Sequence, residues 1–283
     1  PPDGGGKEQY MKLGMPALVE YSTLSQLVEL CAGLKLNFIE LNMNLPYNFI
    51  HVLNPNELKN ITKETNIEFT MHMPDEADLG SFYESVREGY VKLFSDTIDW
   101  AKEAGVKLLN LHIIEGAKMT LPDKKVYIYD KYSGEFTNNF IKSIKTLSKK
   151  AHESNIVLAI ENSGNFGKKF IQDTLNEALK YPDIKLTWDT GHDAGSNFTD
   201  KEYLMAHQNN IAHMHLHDVI GNSDHQILFE GSLDIIELLK FAESTSIKAL
   251  IEVKTEESLI KSINNLKSIY SSKNHGGLNE KDI

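Results

Sequence analysis

Residues 211–218 read IAHMHLHD, in which His213, His215 and His217 alternate with apolar residues. Alternate side chains of a β-strand point to opposite faces, so the three imidazoles share one face and the apolar side chains share the other. Three imidazoles on one face of a short strand indicate a functional site rather than ordinary core packing. We therefore expect this strand to contribute ligands for a metal ion or a substrate.

Six further β-like runs, FIE, TMH, NLH, AIE, TWD and IE, also end in a carboxylate or an imidazole. With the run above, the terminal residues are Glu40, His72, His112, Glu161, Asp189, His215 and Glu252. Such side chains at the carboxyl ends of successive strands are how a (β/α)8 barrel builds a metal site at one mouth. We predict an α/β protein, a single (β/α)8 TIM barrel with a metal site at the C-terminal mouth of its strands.

The order of elements along the chain agrees with this fold. Strands are predicted near 12–16, 38–43, 68–73, 108–113, 156–162, 184–189, 211–217 and 248–254, with helix-length amphipathic stretches between most of them. Gly105 and Asn155 mark predicted helix ends. A length of 283 residues fits one barrel, which we place at 11–270.

Three segments lie outside this pattern. We interpret residues 1–10 as a leader or cloning remnant and residues 271–283 as a polar tail. The segment 114–134 follows the fourth strand at the ligand-bearing end. It is expected to be either a mobile lid or an extra hairpin over the site, or else a surface excursion without a catalytic role.

The amino-acid composition limits which partners and which cellular location we expect for the protein. The net charge is −11, from 40 acidic and 29 basic residues, which would repel a phosphate backbone, so we do not expect nucleic acid as a partner. Cys31 is the single cysteine, which excludes an internal disulfide and favours a reducing, cytoplasmic location. No apolar run is long enough to span a membrane. We expect a small-molecule partner and leave assembly into a homo-oligomer open.

The ligand residues can be sorted by chemistry. Burying several carboxylates at one mouth without a cation would cost several kcal/mol per charge, a cost that a divalent ion removes. Glu161, Asp189, His215 and Glu252 suit Mn²⁺ or Mg²⁺ and tolerate Zn²⁺, whereas His72 and His112 favour Zn²⁺. His192 and His225, with Asp224 or Ser223, either form a second ion site or bind substrate oxygens. One to three ions are expected.

At these residues the chain resembles the xylose isomerase-like TIM-barrel superfamily, which contains sugar isomerases and epimerases and also the endonuclease IV group. The resemblance covers most of the chain from Met11 to about Tyr270. It rests on KLLNLH (107–112), AIENSG (159–164), DTGH (189–192), HLHD (215–218), HQILFEG (225–231) and IEVK (251–254).

The endonuclease branch implies a zinc-dependent phosphodiesterase that acts on apurinic sites. A trinuclear zinc site would draw on His72, His112, Glu161, Asp189, His192, His215, His225 and Glu252. The aspartate expected two residues before His225 is Ser223 here, with Asp224 adjacent, and the loop after His72 is acidic. Both departures count against this branch.

The isomerase branch implies a metal-dependent sugar or sugar-phosphate isomerase or epimerase in carbohydrate metabolism, working by proton transfer through an enediolate. LKLNFIELNMN (34–44) looks like the glutamate-bearing second strand of such enzymes. We favour this reading, with Glu161 and Glu252 as the catalytic acid/base pair, and keep a non-catalytic sugar- or metal-binding barrel as a further alternative. The predicted substrate-binding residues are Glu40, His72, His112, His192, His217 and His225.

Overall fold

The structure is a computed structural model that describes residues 11–273. Eight strands form the barrel: β1 Leu13–Pro16, β2 Phe38–Asn42, β3 Glu68–His72, β4 Leu108–His112, β7 Val157–Glu161, β8 Ile184–Asp189, β9 Ile211–Leu216 and β12 Lys248–Ile251. All neighbouring pairs are parallel, and β12 pairs with β1 to close the barrel. The predicted (β/α)8 TIM barrel is confirmed.

Helices surround the barrel and connect its strands. They are α1 Leu24–Leu34, α2 Pro55–Thr65, α3 Glu84–Ala104, α4 Ile128–Lys131, α5 Ser133–Ser154, α6 Lys169–Ala178, α7 Thr190–Gly195, α8 Thr199–Ala206, α9 Ile235–Thr245 and α10 Glu256–Lys273. As predicted, Gly105 (φ 83°) and Asn155 (φ 53°) end α3 and α5 in the left-handed conformation.

The predicted boundaries lie near the limits of the described residues. Helix α10 continues to Lys273, three residues beyond the boundary placed at Tyr270. The predicted leader, residues 1–10, and the rest of the predicted tail, residues 274–283, lie outside the described residues.

Three connections between barrel strands contain secondary structure of their own. Strands β5 Lys118–Thr120 and β6 Lys125–Tyr127 form an antiparallel hairpin within the 114–134 segment, so an extra hairpin is present there. Strands β10 Asp218–Ile220 and β11 Ser223–Gln226 form a second hairpin after β9. The short helices α7 and α8 fill the connection between β8 and β9. Across residues 11–273, no helix has the length and apolar character needed to cross a membrane.

The side chains that point into the barrel form two layers near its carboxyl end. We call the last inward positions of the strands the upper layer: Asn42, His72, His112, Glu161, Asp189, His215 and, just after β12, Glu252. The inward positions two residues earlier are the lower layer: Glu40, Thr70, Asn110, Ala159, Thr187, His213 and Leu250. Below both layers lies the fully buried ring of Phe38, 5.8 Å from the ring of His213. The barrel therefore places a polar layer directly beneath the predicted ligands.

Candidate metal centre

A central group of four side chains converges at the carboxyl mouth of the barrel. It consists of Glu161, Asp189, His215 and Glu252, all buried, with ligand atoms that lie within 4.8 Å of one another. Nδ1 of His215 lies 3.0 Å from Oε2 of Glu252, 3.3 Å from Oε1 of Glu161 and 3.9 Å from Oδ2 of Asp189. The four residues that the sequence assigns to the metal thus share one small volume.

A second group, formed by His72 and His112, lies beside the central group, and both groups contact Glu161. Nε2 of His72 and Nε2 of His112 each lie 3.3 Å from Oε2 of Glu161, whereas Oε1 of the same carboxylate faces His215. Nδ1 of His72 is 2.7 Å from the carbonyl oxygen of Met73. If Nδ1 donates its proton to that carbonyl, Nε2 is left as the ligand atom. Glu161 is therefore placed as a carboxylate that can bridge two ions.

A third group is formed by His192, Asp224 and His225. Nδ1 of His225 lies 2.9 Å from Oδ1 of Asp224, and Nε2 of His192 lies 4.0 Å from Oδ2 of Asp224. Nδ1 of His192 contacts the carbonyl oxygen of Asn162 at 3.1 Å, which directs Nε2 toward Asp224. Asp224, next to Ser223, thus supplies the carboxylate of this group.

The donor set fits a divalent cation. Nδ1 of His215, Nε2 of His112 and Oε2 of Glu252 are buried and form no aligned hydrogen bond with any described residue, although groups of opposite charge lie close by. Buried polar atoms without hydrogen bonds are rare in native proteins. Mixed imidazole and carboxylate donors are typical of Zn²⁺ and Mn²⁺ sites. A cation in the central group would satisfy the atoms of His215 and Glu252, and a cation beside His72 and His112 would satisfy Nε2 of His112.

In the absence of a metal ion, the charged side chains of this centre shift one another's pKa values. Burial opposes ionisation of Glu161 and Glu252, but the charge of His215 and the contacts with neighbouring histidines together outweigh it and hold the pKa of both carboxyls well below the usual range. Burial likewise opposes protonation of His215 and His72, yet the neighbouring carboxylates raise the pKa of His215 well above its ordinary value and that of His72 to about 9. Protonated imidazoles thus balance the charge of the buried carboxylates, as a divalent cation would.

Asp189 is held by residues that the sequence did not assign to it. Nε2 of His217 lies 3.1 Å from both of its carboxylate oxygens, and Nδ1 of His217 accepts a hydrogen bond from the backbone N–H of His225 at 2.7 Å. His217, predicted to bind substrate, is fully buried. A side chain at Gly191 would collide with the His217 ring, which explains the glycine in DTGH. Asn162 accepts a hydrogen bond from the backbone N–H of Asp189 at 2.7 Å.

The lower layer contacts the ligands from beneath. Asn110 donates to Oε2 of Glu161, and its own oxygen accepts from the hydroxyl of Thr187 at 2.6 Å. Glu40, predicted to bind substrate, is 2% exposed and contacts His213 and His215. Sequence reasoning overlooked Asn110, although its place two residues before His112 puts both side chains on one strand face.

Two cavities flank the ligand groups. One lies beside His72 and Glu252 and is lined by the loops after β1 and β2 and by Lys254. Nζ of Lys254 lies 2.7 Å from Oε1 of Glu252. The other cavity lies beside His192 and Asp224. A small molecule could reach the ligand groups from either side.

Comparison with known proteins identifies similar chains. A family model described as a xylose isomerase-like TIM barrel matches residues 28–269. Among curated proteins, none matches the sequence significantly.

Several solved structures share the fold across nearly the whole chain. A D-tagatose 3-epimerase-like protein is 24% identical with a TM-score of 0.73, covering 94% of this chain and 99% of that chain. The 3-keto-D-glucoside 4-epimerase of E. coli is 15% identical with a TM-score of 0.71, covering 92% and 99%. D-allulose 3-epimerase from Methylomonas sp., in complex with D-allulose, is 15% identical with a TM-score of 0.66, covering 93% and 97%. At these identities the likeness establishes the fold.

Proposed function

The chain belongs to the xylose isomerase-like TIM-barrel family, and we propose that it is a divalent-metal-dependent sugar or sugar-phosphate isomerase or epimerase. The observation that carries the proposal is the position of Glu161 and Glu252. These carboxylates come from different strands and both lie within 3.3 Å of Nδ1 of His215. Two ionised carboxylates beside one ligand atom suit a reaction that moves a proton between substrate carbons or between the two faces of one carbon.

The chemistry follows from these groups. One of the two carboxylates removes the proton from the carbon next to a ketose carbonyl, and the electrons of the C–H bond form the C=C bond of an enediolate. In an epimerase a proton is returned to the other face of that carbon. In an isomerase it is returned to the former carbonyl carbon, while the hydroxyl of the deprotonated carbon gives up its proton and becomes the new carbonyl and the former carbonyl oxygen takes up a proton. A bound divalent ion would polarise the carbonyl and stabilise the negative charge on its oxygen.

The surroundings of Glu252 support a polyhydroxylated substrate. The cavity beside it is lined by Asn42, Asn44 and Lys254 together with the apolar Leu18 and Val19. Amide and ammonium groups can hydrogen-bond sugar hydroxyls, and apolar side chains can pack against C–H faces. The sugar epimerases with the same fold support the same substrate class. A cytoplasmic location remains our expectation.

Solvent exchange tests this function directly. The protein, loaded with Mn²⁺ in D₂O, is incubated with a panel of ketoses and ketose phosphates. We expect deuterium at the carbon next to the carbonyl of at least one sugar, and a loss of at least about 100-fold in Glu161→Gln and in Glu252→Gln. Glu68→Gln, which alters a carboxylate at the opposite end of the barrel, is the matched control and should exchange normally. Absence of exchange into every sugar at saturating Mn²⁺ would refute the proposal.

A second candidate, a zinc-dependent phosphodiesterase of the apurinic endonuclease type, is favoured by one specific observation. Three ligand groups lie side by side, Glu161 is shared by two of them, and Asp224 supplies the carboxylate of the third. The net charge of −11 opposes binding to a nucleic acid backbone. Two or more Zn²⁺ per chain together with cleavage of an abasic duplex would establish this candidate in place of the isomerase.

A further inference from the structure

Glu40 lies beneath the metal centre and lines the base of the cavity beside His72 and Glu252, but its carboxylate oxygens contact protein groups. Its side chain is 2% exposed and belongs to the lower layer, one inward position below the level of His72. Oε2 accepts a hydrogen bond from the hydroxyl of Thr70 at 2.8 Å and lies 3.0 Å from Nε2 of His213. Oε1 lies 2.8 Å from Nε2 of His215. Most of the accepting capacity of this carboxylate is therefore directed at protein groups.

His215 lies between two sets of carboxylates. Its Nε2 faces Glu40 below, and its Nδ1 faces Glu161 and Glu252 above. The contact with Glu40 is short but bent, since neither ring nitrogen makes an aligned hydrogen bond. At 2.8 Å, Nε2 of His215 is nevertheless within hydrogen-bonding distance of Oε1 of Glu40, while Nδ1 lies toward the upper carboxylates.

His213 is the second imidazole that faces Glu40. Its Nε2 lies 3.0 Å from Oε2 of Glu40, and its Nδ1 has no hydrogen-bond partner among the described residues. With its proton on Nε2, His213 can donate to Oε2 of Glu40 and leave Oε1 for His215.

We propose that Glu40 is a positioning residue that accepts the Nε2 proton of His215 and thereby presents Nδ1 as the metal ligand. Residues that hydrogen-bond the second nitrogen of a ligand imidazole fix its tautomer and orientation and raise its basicity. Glu40 thus acts through His215 rather than on substrate. This role rests on the metal centre of the proposed function and is the same for isomerase and phosphodiesterase chemistry.

Two substitutions of Glu40 are expected to weaken metal affinity to different extents. Glu40→Gln keeps one acceptor oxygen but loses the charge, and Glu40→Leu removes both acceptors. Substitutions of residues that hydrogen-bond a metal ligand typically weaken metal binding by about 10–100-fold. We expect isothermal titration with Mn²⁺ to give affinities about 10-fold weaker for the glutamine variant and about 100-fold weaker for the leucine variant. The visible spectrum of the Co²⁺-loaded variants should shift as well. Glu68→Gln is the control, with unchanged affinity and spectrum.

The unaltered protein provides a measurement that does not depend on the folding of a variant. In ¹⁵N NMR of the histidine-labelled, Zn²⁺-loaded chain, Nε2 of His215 should carry a proton, and Nδ1 should show the shift of a metal-bound nitrogen. Coordination through Nε2 would overturn the proposal, as would a folded Glu40→Leu variant that binds Mn²⁺ within about twofold of the parent.

Neither measurement uses a sugar. Weakened metal binding in a protein that exchanges no sugar hydrogen would leave the positioning role intact and remove the proposed function. Normal metal binding in a Glu40 variant of an active enzyme would remove the positioning role alone.

Discussion

The two ends of the barrel neutralise their carboxylates in different ways. At the amino end, Glu68 is about one-third exposed, contacts Lys12 and lies 2.6 Å from Nζ of Lys248. At the carboxyl end, Glu161 is buried against the imidazoles of His72 and His215. A lysine keeps its proton at neutral pH, whereas an imidazole can lose its proton and become a metal ligand. At the carboxyl end a cation can therefore replace the protons of the imidazoles, whereas at the amino end the lysines keep their protons.

The sharpest test of this difference is the affinity for metal. Glu161→Gln removes a carboxylate shared by two ligand groups, so we expect Mn²⁺ or Zn²⁺ binding to weaken by more than about 100-fold. This loss exceeds the effect of substituting a residue that only hydrogen-bonds a metal ligand. Glu68→Gln should leave the affinity unchanged. Titration calorimetry on both variants measures the contrast, and equal affinities would remove Glu161 from the ligand set.

The pH dependence of stability gives a second test. Burial lowers the pKa of His72 and His192. The carboxylates beside them together outweigh burial, with Glu161 contributing most for His72 and Asp189 and Glu161 for His192, and raise the pKa values to about 9 and about 10. Both folded values exceed the unfolded value near 6.5. The stability that these groups contribute is therefore complete below about pH 6.5 and is lost as the pH rises through about 9 to 10.

Denaturant unfolding in EDTA should show this loss. We expect the free energy of unfolding of the metal-free protein to fall by several kcal/mol between pH 6.5 and pH 10. A saturating divalent ion should reduce or reverse the fall, because ligation requires neutral imidazoles. A flat profile in EDTA would mean that the imidazoles carry no protons at the lower pH.

The smallest effect is expected at the amino end. Glu68→Gln breaks contacts between partly exposed charges, which typically contribute less than about 1 kcal/mol and are screened by salt. The free energy of unfolding should change by no more than that amount, with a smaller difference at 1 M NaCl. A loss of several kcal/mol would show that these lysine contacts are as integral to the barrel as the imidazole contacts at the other end.

The sequence predicted the barrel and the convergence of the ligands because both depend on local pattern. Strand ends such as TWD and AIE identify the mouth, and the left-handed positions Gly105 and Asn155 end their helices as expected. Helices α7 and α8 were not predicted, because residues 190–206 lack a sustained apolar period. Tertiary contacts around Gly191 and Asp193 order this segment instead.

The layer that a side chain occupies could not be read from the sequence. Glu40 was grouped with His72 as a strand-end ligand, but β2 continues to Asn42, and the register pairs Glu40 with Thr70. Strand alternation shows which face a residue occupies but not its height within the barrel, which depends on the stagger between neighbouring strands. The same limit concealed the contact between Asn110 and Glu161.

The polar lower layer also constrains how this protein could be engineered. Barrels of this type usually fill their interior with branched aliphatic side chains, so Thr70→Val and Thr187→Val would be natural choices for thermostabilisation. Here these hydroxyls donate to Glu40 and Asn110, which contact His215 and Glu161. Aliphatic packing could raise thermal tolerance while loosening the ligand geometry, a trade-off between stability and activity confined to a few interior positions. Stabilising substitutions are better sought on the outer faces of the surrounding helices.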